Sequence, residues 1–231
     1  MARKILAGYD LSLTRLSKST PARRARFVAD AGVTVLVDVG AHVGTYALDA
    51  RRGGYPGRIE SFEPLRDPYE ILEARAKDDP LWHCHRLALG DRSGTLTMHV
   101  AGNEVSSSAL AMLPRHLEGD PRSAYVRSEQ VETARLDNVL IPRPSEVLGI
   151  KLDVQGYERR VLDGATVALG HAALLELELS LVRLYEGSPL AAEMIQYLAG
   201  LGFEPIWFDP AFYDERSGRM LQVDAIFARV S

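Results

Sequence analysis

Val33-Thr34-Val35-Leu36-Val37-Asp38-Val39-Gly40-Ala41-His42-Val43-Gly44 is the stretch on which the fold turns. A continuous apolar, β-branched run is the pattern of a strand buried on both faces, as in a parallel sheet covered by helices. The run ends in a carboxylate and then in two glycines four residues apart. Glycines in that position let the backbone turn tightly against a ligand. A helix is predicted to follow over about 44–52. Upstream, Ser19-Thr20-Pro21 supplies a capping hydroxyl and a proline at the first helical position, so a helix should run to Ala31 and end at Gly32.

Working outward, Arg58-Ile59-Glu60-Ser61-Phe62-Glu63 reads as a second strand, Asp67-Pro68 opens a helix, and a third strand covers roughly 81–88. Gly94 to Val100 suggests a hairpin arm. The stretch 101–130 is polar, irregular and too long for an ordinary connection, which makes it a candidate lid or substrate loop. Val147 to Asp153 reads as a fourth core strand with a helix from Glu158 to Leu169, and Ala172 to Leu179 as a fifth strand. A helix at 190–199 and two late strands, near 203–208 and 222–229, complete the pattern. Neither a repeat nor a Pro/Gly-rich linker divides the chain. The expectation is therefore one α/β domain over 1–231: a Rossmann-like, mostly parallel, doubly wound sheet with a terminal antiparallel strand pair.

Composition narrows the function classes. A chain of 231 residues, 46% hydrophobic and 25% charged, is long enough to bury a core without disulfide or metal staples. No run approaches the roughly 18 apolar residues of a membrane span, and the N-terminal apolar stretch is too short for a signal peptide. Cys84 is the single cysteine, which fits a reducing compartment, and the cytoplasm is the natural expectation. A net charge of −4 argues against bulk binding of nucleic acid. Residues 1–32 are locally basic, with Arg3, Lys4, Arg15, Lys18, Arg23, Arg24 and Arg26 against Asp10 and Asp30. The plain reading is a solvated helix face; the sharper one is a docking patch for an anionic substrate. No partner chain is implied beyond a homodimer, which the composition allows.

Ligands of doubly wound sheets bind outside the carboxyl ends of the strands. A dinucleotide fingerprint anchored at Gly40 would need glycines at 42 and 45, where His42 and Thr45 stand. An imidazole in place of the second glycine obstructs a pyrophosphate, and no Gly-Lys-Ser/Thr phosphate loop exists, so the loop suits a nucleoside without phosphates. The second strand ends at Glu63-Pro64, where a carboxylate can accept from both ribose hydroxyls, and Asp38 can take a donor from an amino-acid portion. Two carboxylates attract a cationic sulfonium nucleoside and repel phosphates. Gly44 has a second reading, as helix–strand packing.

The ordered blocks of this chain resemble the FkbM-type methyltransferases over nearly its whole length. They are the loop with Phe62-Glu63-Pro64, Leu87-Ala88-Leu89-Gly90-Asp91, Val105-Ser106-Ser107-Ser108 and Arg135-Leu136-Asp137. Lys151-Leu152-Asp153-Val154-Gln155-Gly156-Tyr157-Glu158, Leu177-Glu178-Leu179-Ser180, Leu184-Tyr185-Glu186-Gly187 and Gln222 to Phe227 complete the set. The resemblance implies a class I methyltransferase fold, S-adenosylmethionine as donor and a hydroxyl acceptor on a small molecule, sugar or saccharide. It also implies that Leu87 and Ala88 flank the adenine, with Gly40, Ala41, His42, Gly44 and Tyr46 on the donor side. The chain departs from the family at His42, where members usually carry asparagine.

An alcohol is a weak nucleophile whose proton must leave through a base or a metal. Asp153 ends the fourth strand and Glu178 lies near the end of the fifth, so the pair could act as base and orienting group or share Mg²⁺. Capping of the next helix is the other reading of Asp153, and Glu176 is the rival of Glu178 on the same strand face. His42 is a second candidate base, though a cofactor contact is the plainer role. Ser106, Ser107, Lys151 and Tyr185 are candidate acceptor contacts; Lys151 could equally pair with a carboxylate, and Ser106 to Ser108 could equally form a turn with self-capping hydroxyls. His83, His85, His99, His116 and His171 show no metal-ligand spacing and are read as structural or surface. Two further function classes remain: a nucleic-acid methyltransferase, suggested by the basic N-terminus, and a non-catalytic cofactor-binding scaffold.

Overall fold

The computed structural model describes residues 19–230. Strand β1 (Val35–Val39) is buried at every position and pairs in parallel with β2 (Arg58–Phe62) and β7 (Leu148–Leu152). Burial on both faces is what its unbroken β-branched run demands. β3 (Trp82–His85) extends the sheet beyond β2, and β8 (Ala172–Ser180) pairs in parallel with β7. The antiparallel pair β9 (Phe203–Asp214) and β10 (Arg219–Arg229) closes the other side, giving the order β3-β2-β1-β7-β8-β10-β9 in a seven-stranded sheet. The strand order reverses between β1 and β7, so a crevice opens at their carboxyl ends.

Helices α1 (Thr20–Asp30), α2 (Thr45–Arg52) and α3 (Arg66–Ala76) flank the first half of the sheet. One apolar core packs Val35, Val37, Ile150, Leu152 and Leu175 against Val161, Leu162 and Leu198, and a second packs Leu36, Ile59 and Leu174 against Val28, Ala47 and Leu72. Leu36 and Val37, adjacent on β1, belong to different cores. Among the described residues no helix is long and apolar enough to cross a membrane.

Four expectations need correction. The third strand stops at His85, and the chain steps across to β4 (Ala88–Leu89) in a separate sheet of order β4-β6-β5. The stretch 101–130 is not irregular throughout. Its last residues belong to β6 (Tyr125–Ala134), antiparallel to β5 (Gly94–Ala101), and it carries a short helix α4 (Pro114–Gly119) and a 3₁₀ turn (Pro121–Ser123). α5 (Leu136–Val139) leads from β6 back toward β7. The helix expected over 158–169 is two, α6 (Glu158–Asp163) and α7 (Thr166–His171), because the chain breaks at Gly164, where a Cβ would lie 1.9 Å from the carbonyl oxygen of Gly90. The late strands run longer than their apolar cores, since antiparallel pairing carries them to the hairpin between Asp214 and Arg219. Helix α8 (Ala191–Gly200) lies between β8 and β9.

The basic N-terminal segment resolves in part. Arg24 donates from Nε to both carboxylate oxygens of Glu176, at 2.8 and 2.7 Å, and lies 4.8 Å from the ring of Tyr46. Arg23 sits 4.0 Å over the indole of Trp207, while Arg26 faces solvent beside Asp30. The first two fasten α1 to the sheet rather than forming a solvated face or a docking patch. Arg3, Lys4, Arg15 and Lys18 fall outside the described residues.

Candidate functional site

The crevice between β1 and β7 opens into a cleft of about 730 Å³, counting the part open to solvent. Its floor is the β1–α2 loop, where Gly40 has φ +72° and a Cβ would fall 1.9 Å from the carbonyl oxygen of Asp153. Only glycine brings the two strand ends this close. Gly44 also has a positive φ, but its Cβ would strike Leu72 and Trp82 at 2.7 and 2.8 Å. Gly44 is therefore packing between helix and strand and does not line the cleft.

Between them His42 takes φ +48°, its N–H donates to Glu63 Oε2 at 2.8 Å, and its ring lies 3.6 Å from Glu104. Glu63 closes the adjacent wall from the end of β2. Its other oxygen accepts from Leu65 N–H at 2.9 Å. Burial pushes the Glu63 carboxyl up to about 7, against the opposing pull of those two N–H groups. Pro64, Leu87, Ala88, Phe62, Leu96 and Met98 supply an apolar wall.

Below the loop, Asp38 is 0% exposed, with Lys151 Nζ 3.2 Å from Oδ1 and no hydrogen-bond partner for Oδ2 among the described residues. Burial raises its pKa, and the nearby ammonium only partly offsets this. Lys151 donates to the carbonyl of Gly40 at 3.0 Å and lies 3.6 Å from Asp153. Burial alone would deprotonate this amine, but the charges of Asp38 and Asp153 outweigh it and hold the pKa above its ordinary value. Lys151 thus pins the glycine loop to the sheet and stands behind the cleft rather than in it.

Asp153 follows β7 directly and presents to the cleft a side chain that is 44% exposed. Gln155 Nε2 donates to Asp153 Oδ1 and to Glu178 Oε2, each at 2.9 Å, and Gln222 Nε2 reaches the same Glu178 oxygen at 2.7 Å. Glu178 is pushed well up by burial and by the charges of Asp153, Asp224 and Glu158. The capping reading of Asp153 fails, because Glu158 itself accepts from the N–H groups of Val154 and Gly156 ahead of α6. Glu176 is excluded as a rival by its pairing with Arg24.

The expectation of Mg²⁺ shared by Asp153 and Glu178 is corrected by the same geometry. A neutral amide bridges the two carboxylates where a cation would sit, and no group of three acidic, histidine or cysteine ligands able to hold a metal occurs among the described residues.

Of the other sequence-expected residues, Ser107 lines the cleft, while Ala41 is buried under the loop. Ser106 is turned away, its Oγ accepting from Asn103 Nδ2 at 3.0 Å. Tyr46 faces Arg24 and the groove between α1 and α2, because the first helical turn carries it away from the cleft. Tyr185 is fully buried and touches Gln155 rather than the cleft. Sequence reasoning missed Glu104 and Gln155 as cleft residues. They and His42 are the non-glycine residues with positive φ among those described, at +62°, +54° and +48°, and all line the cleft. Backbone strain of this kind gathers at ligand sites. Gln155-Gly156 directly after a strand end was the one available signal.

A doubly wound sheet, a glycine turn after β1 and a carboxylate at the second strand end define the class I methyltransferase fold. A family model, the methyltransferase FkbM domain, matches residues 38–205, and the chain belongs to that family of S-adenosylmethionine-dependent methyltransferases. No curated protein matches the sequence. Among solved structures the chain is similar to an rRNA methylase from Streptococcus thermophilus, at 10% identity over 94% of this chain and 100% of that one, with a TM-score of 0.51. It is also similar to TehB from Haemophilus influenzae, at 9% identity over 97% of this chain and 65% of that one, with a TM-score of 0.50. At such identities the likeness is one of fold. The residues present fit the donor: the Gly40 cradle, the unpartnered Asp38 oxygen and the Glu63 carboxylate all lie at or below one cleft.

Proposed function

We propose that the chain is an O-methyltransferase acting on a hydroxyl of a small molecule, sugar or saccharide. The observation that carries this reading is Asp153: a carboxylate at the cleft, oriented by Gln155 and Lys151, with surface left free for an acceptor. When bound, S-adenosylmethionine supplies an electrophilic methyl group and leaves as S-adenosylhomocysteine. Glu63 would accept from the ribose hydroxyls, Leu87 and Ala88 would pack against the adenine, and the Gly40–His42 backbone would lie against the ligand, with Asp38 buried behind that loop. Asp153 would take the proton of the acceptor hydroxyl. Glu178 shares the amide donor and keeps Asp153 in place.

Much of the catalysis is then positioning of one oxygen behind one carbon. The segment 101–130 contributes Glu104, Val105, Ser107 and Ala109 to the cleft wall, and we assign it the role of substrate cap. Glu63, Glu104 and Asp153 make the cleft acidic, which favours a neutral acceptor over a nucleic-acid backbone. The test is a screen of hydroxyl-bearing acceptors scored by S-adenosylhomocysteine release and product mass, for wild type and Asp153→Asn. A product methylated on nitrogen or on RNA, or full turnover by Asp153→Asn, refutes the reading.

A further inference from the structure

Gln155 occupies a backbone conformation that disfavours it, and its side chain and carbonyl are held at every polar atom. Its φ is +54° and the next residue, Gly156, has φ +93°. Ser108 Oγ donates to the Gln155 carbonyl at 2.7 Å, which fixes the peptide. The Tyr185 hydroxyl lies 2.6 Å from Oε1, and two carboxylates lie 2.9 Å from Nε2. A primary amide has two N–H donors and one carbonyl, so this set of partners admits a single orientation. The tyrosine donates to the amide oxygen, and the amide donates once to each carboxylate.

We propose that Gln155 is a positioning residue, an amide clamp that the Tyr185 hydroxyl orients and that holds Asp153 and Glu178 together with Asp153 facing the acceptor. This rests on the O-methyl transfer reading given above. The clamp is built from the 101–130 segment as much as from the sheet. The Ser106 carbonyl lies 3.2 Å from Tyr185 Oη, and His116 Nε2, on α4, lies 3.0 Å from the same oxygen, which accepts from it while the tyrosine proton points to the amide. His116 is buried, and its other ring nitrogen is 2.9 Å from Ser123 Oγ. Burial lowers its pKa, so a neutral ring meets the tyrosine. The segment that covers the cleft is thereby tied through one buried hydroxyl to the two carboxylates.

Two carboxyl groups at hydrogen-bond distance from one nitrogen repel each other when both are ionised, which contributes to pushing Glu178 up, and the two N–H groups of the amide offset part of that repulsion. The groups facing the pair are Lys151 on β7, Asp224 and Gln222 on β10, Glu158 on α6, and Tyr185. Of these Lys151 is cationic, and it is engaged by Asp38 and Gly40. Removing the amide should therefore make the pair bind a proton more tightly. Loss of a hydrogen bond to a charged group predicts a change of about tenfold or more in proton affinity.

The variants are Gln155→Leu, which removes both donors at similar size, and Tyr185→Phe, which frees the amide to turn. The probe is carboxyl-carbon NMR titration of protein saturated with S-adenosylhomocysteine, with Asp153→Asn and Glu178→Gln to assign the signals. The titration midpoint of the pair should rise by about one pH unit in Gln155→Leu, and in the same direction but less in Tyr185→Phe. The acid limb of kcat/KM against pH should move with it, while the Kd for S-adenosylhomocysteine stays within about twofold. An unmoved titration in Gln155→Leu overturns the clamp, and if that variant does not fold, an unmoved titration in Tyr185→Phe does so. The NMR arm needs no acceptor, so failure to find a methylated hydroxyl would count against the reading of function and not against the clamp.

Discussion

Lowering the pH should release the cofactor before it unfolds the protein, and Glu63 is the reason. Its carboxyl is buried and pushed up to about 7, so in the empty protein half of it is neutral at neutral pH. A neutral carboxyl offers fewer acceptor sites to a ribose diol than a carboxylate already satisfied on one side by His42 and Leu65. Two hydrogen bonds to a charged group, at about 1.5 kcal/mol each, would draw the bound-state pKa down by about 2 units, to roughly 5. Binding must then release a proton wherever the free site is protonated and the bound one is not. With a free-site pKa of about 7, roughly one tenth of Glu63 is ionised at pH 6 and nine tenths at pH 8. The Kd for S-adenosylhomocysteine should therefore be about tenfold weaker at pH 6 than at pH 8.

Folding carries the opposite sign. Because the folded-state pKa lies above the ordinary value, Glu63 favours the fold below about 4.5, and that contribution is lost as the pH rises through about 7. The fold thus tolerates the protonated site that the ligand does not. Calorimetry in buffers of different ionisation enthalpy measures both affinity and proton release. Glu63→Gln should bind more weakly at pH 8 and lose the pH dependence, which separates Glu63 from Asp224 and Glu158, raised to about 6 and about 7 respectively. A Kd that is flat from pH 6 to pH 8 in wild type, or a proton taken up on binding, would refute the reasoning.

Asp153→Asn and Glu178→Gln should each lower turnover by about 10²-fold, the usual scale for a positioned acid or base, with S-adenosylhomocysteine affinity little changed by calorimetry. A chelator should leave turnover unaltered, since Gln155 and not a cation joins the pair. Gly40→Ala would drive a Cβ into the Asp153 carbonyl and should cost on the order of 3 kcal/mol in urea denaturation, with loss of cofactor binding. Arg24→Leu leaves Glu176 unpaired beneath α1 and should cost about 3 kcal/mol, most of it recovered in the double variant with Glu176→Leu. In a thermal-shift titration, S-adenosylhomocysteine at a hundredfold its Kd should stabilise the fold by about 2.7 kcal/mol, and NAD should not.

The parallel core was legible because burial on both faces leaves one kind of sequence. β1 and β7 are largely apolar runs, broken by Asp38 in one and Lys151 in the other, and both appear within a residue or two of where they were expected. Long-range pairing was not legible. Nothing local marks the step after His85 that sends Ala88 and Leu89 to a second sheet, where they pair with Thr133 and Ala134 some 45 residues on. β6 was hidden for a related reason: its exposed face carries polar residues, as in Ser128, Gln130 and Glu132, and it reads as loop until its partner β5 is placed. Strand alternation left Lys151 two readings, of which pairing with a carboxylate is the one found, while Tyr46 was placed with the cofactor loop although side-chain direction at a helix start depends on what packs there. Arg24 and Glu176 draw Tyr46 one way, and Gly40 and Asp38 hold Lys151 another.

Backbone strain supplies the remaining link between sequence and site. A side chain does not announce its own φ, so Glu104 and Gln155 looked unremarkable as residue types and His42 stood out only for its imidazole, yet each adopts the left-handed region at the cleft. That geometry also accounts for the departure at position 42. Asparagine and histidine are both enriched among non-glycine residues at positive φ, because each tolerates the left-handed turn better than most side chains. Exchanging one for the other keeps the backbone N–H aimed at Glu63, 2.8 Å away, and changes what the side chain reaches, here Glu104 at 3.6 Å. What position 42 must preserve is therefore the direction of a backbone donor; the imidazole approaches Glu104 at 3.6 Å without hydrogen-bonding it, its Nε2 having no partner among the described residues. His42→Asn should leave the cofactor Kd nearly unchanged by calorimetry. A large loss of cofactor affinity in His42→Asn would instead make the ring itself a ligand contact, and the argument from the backbone would fall.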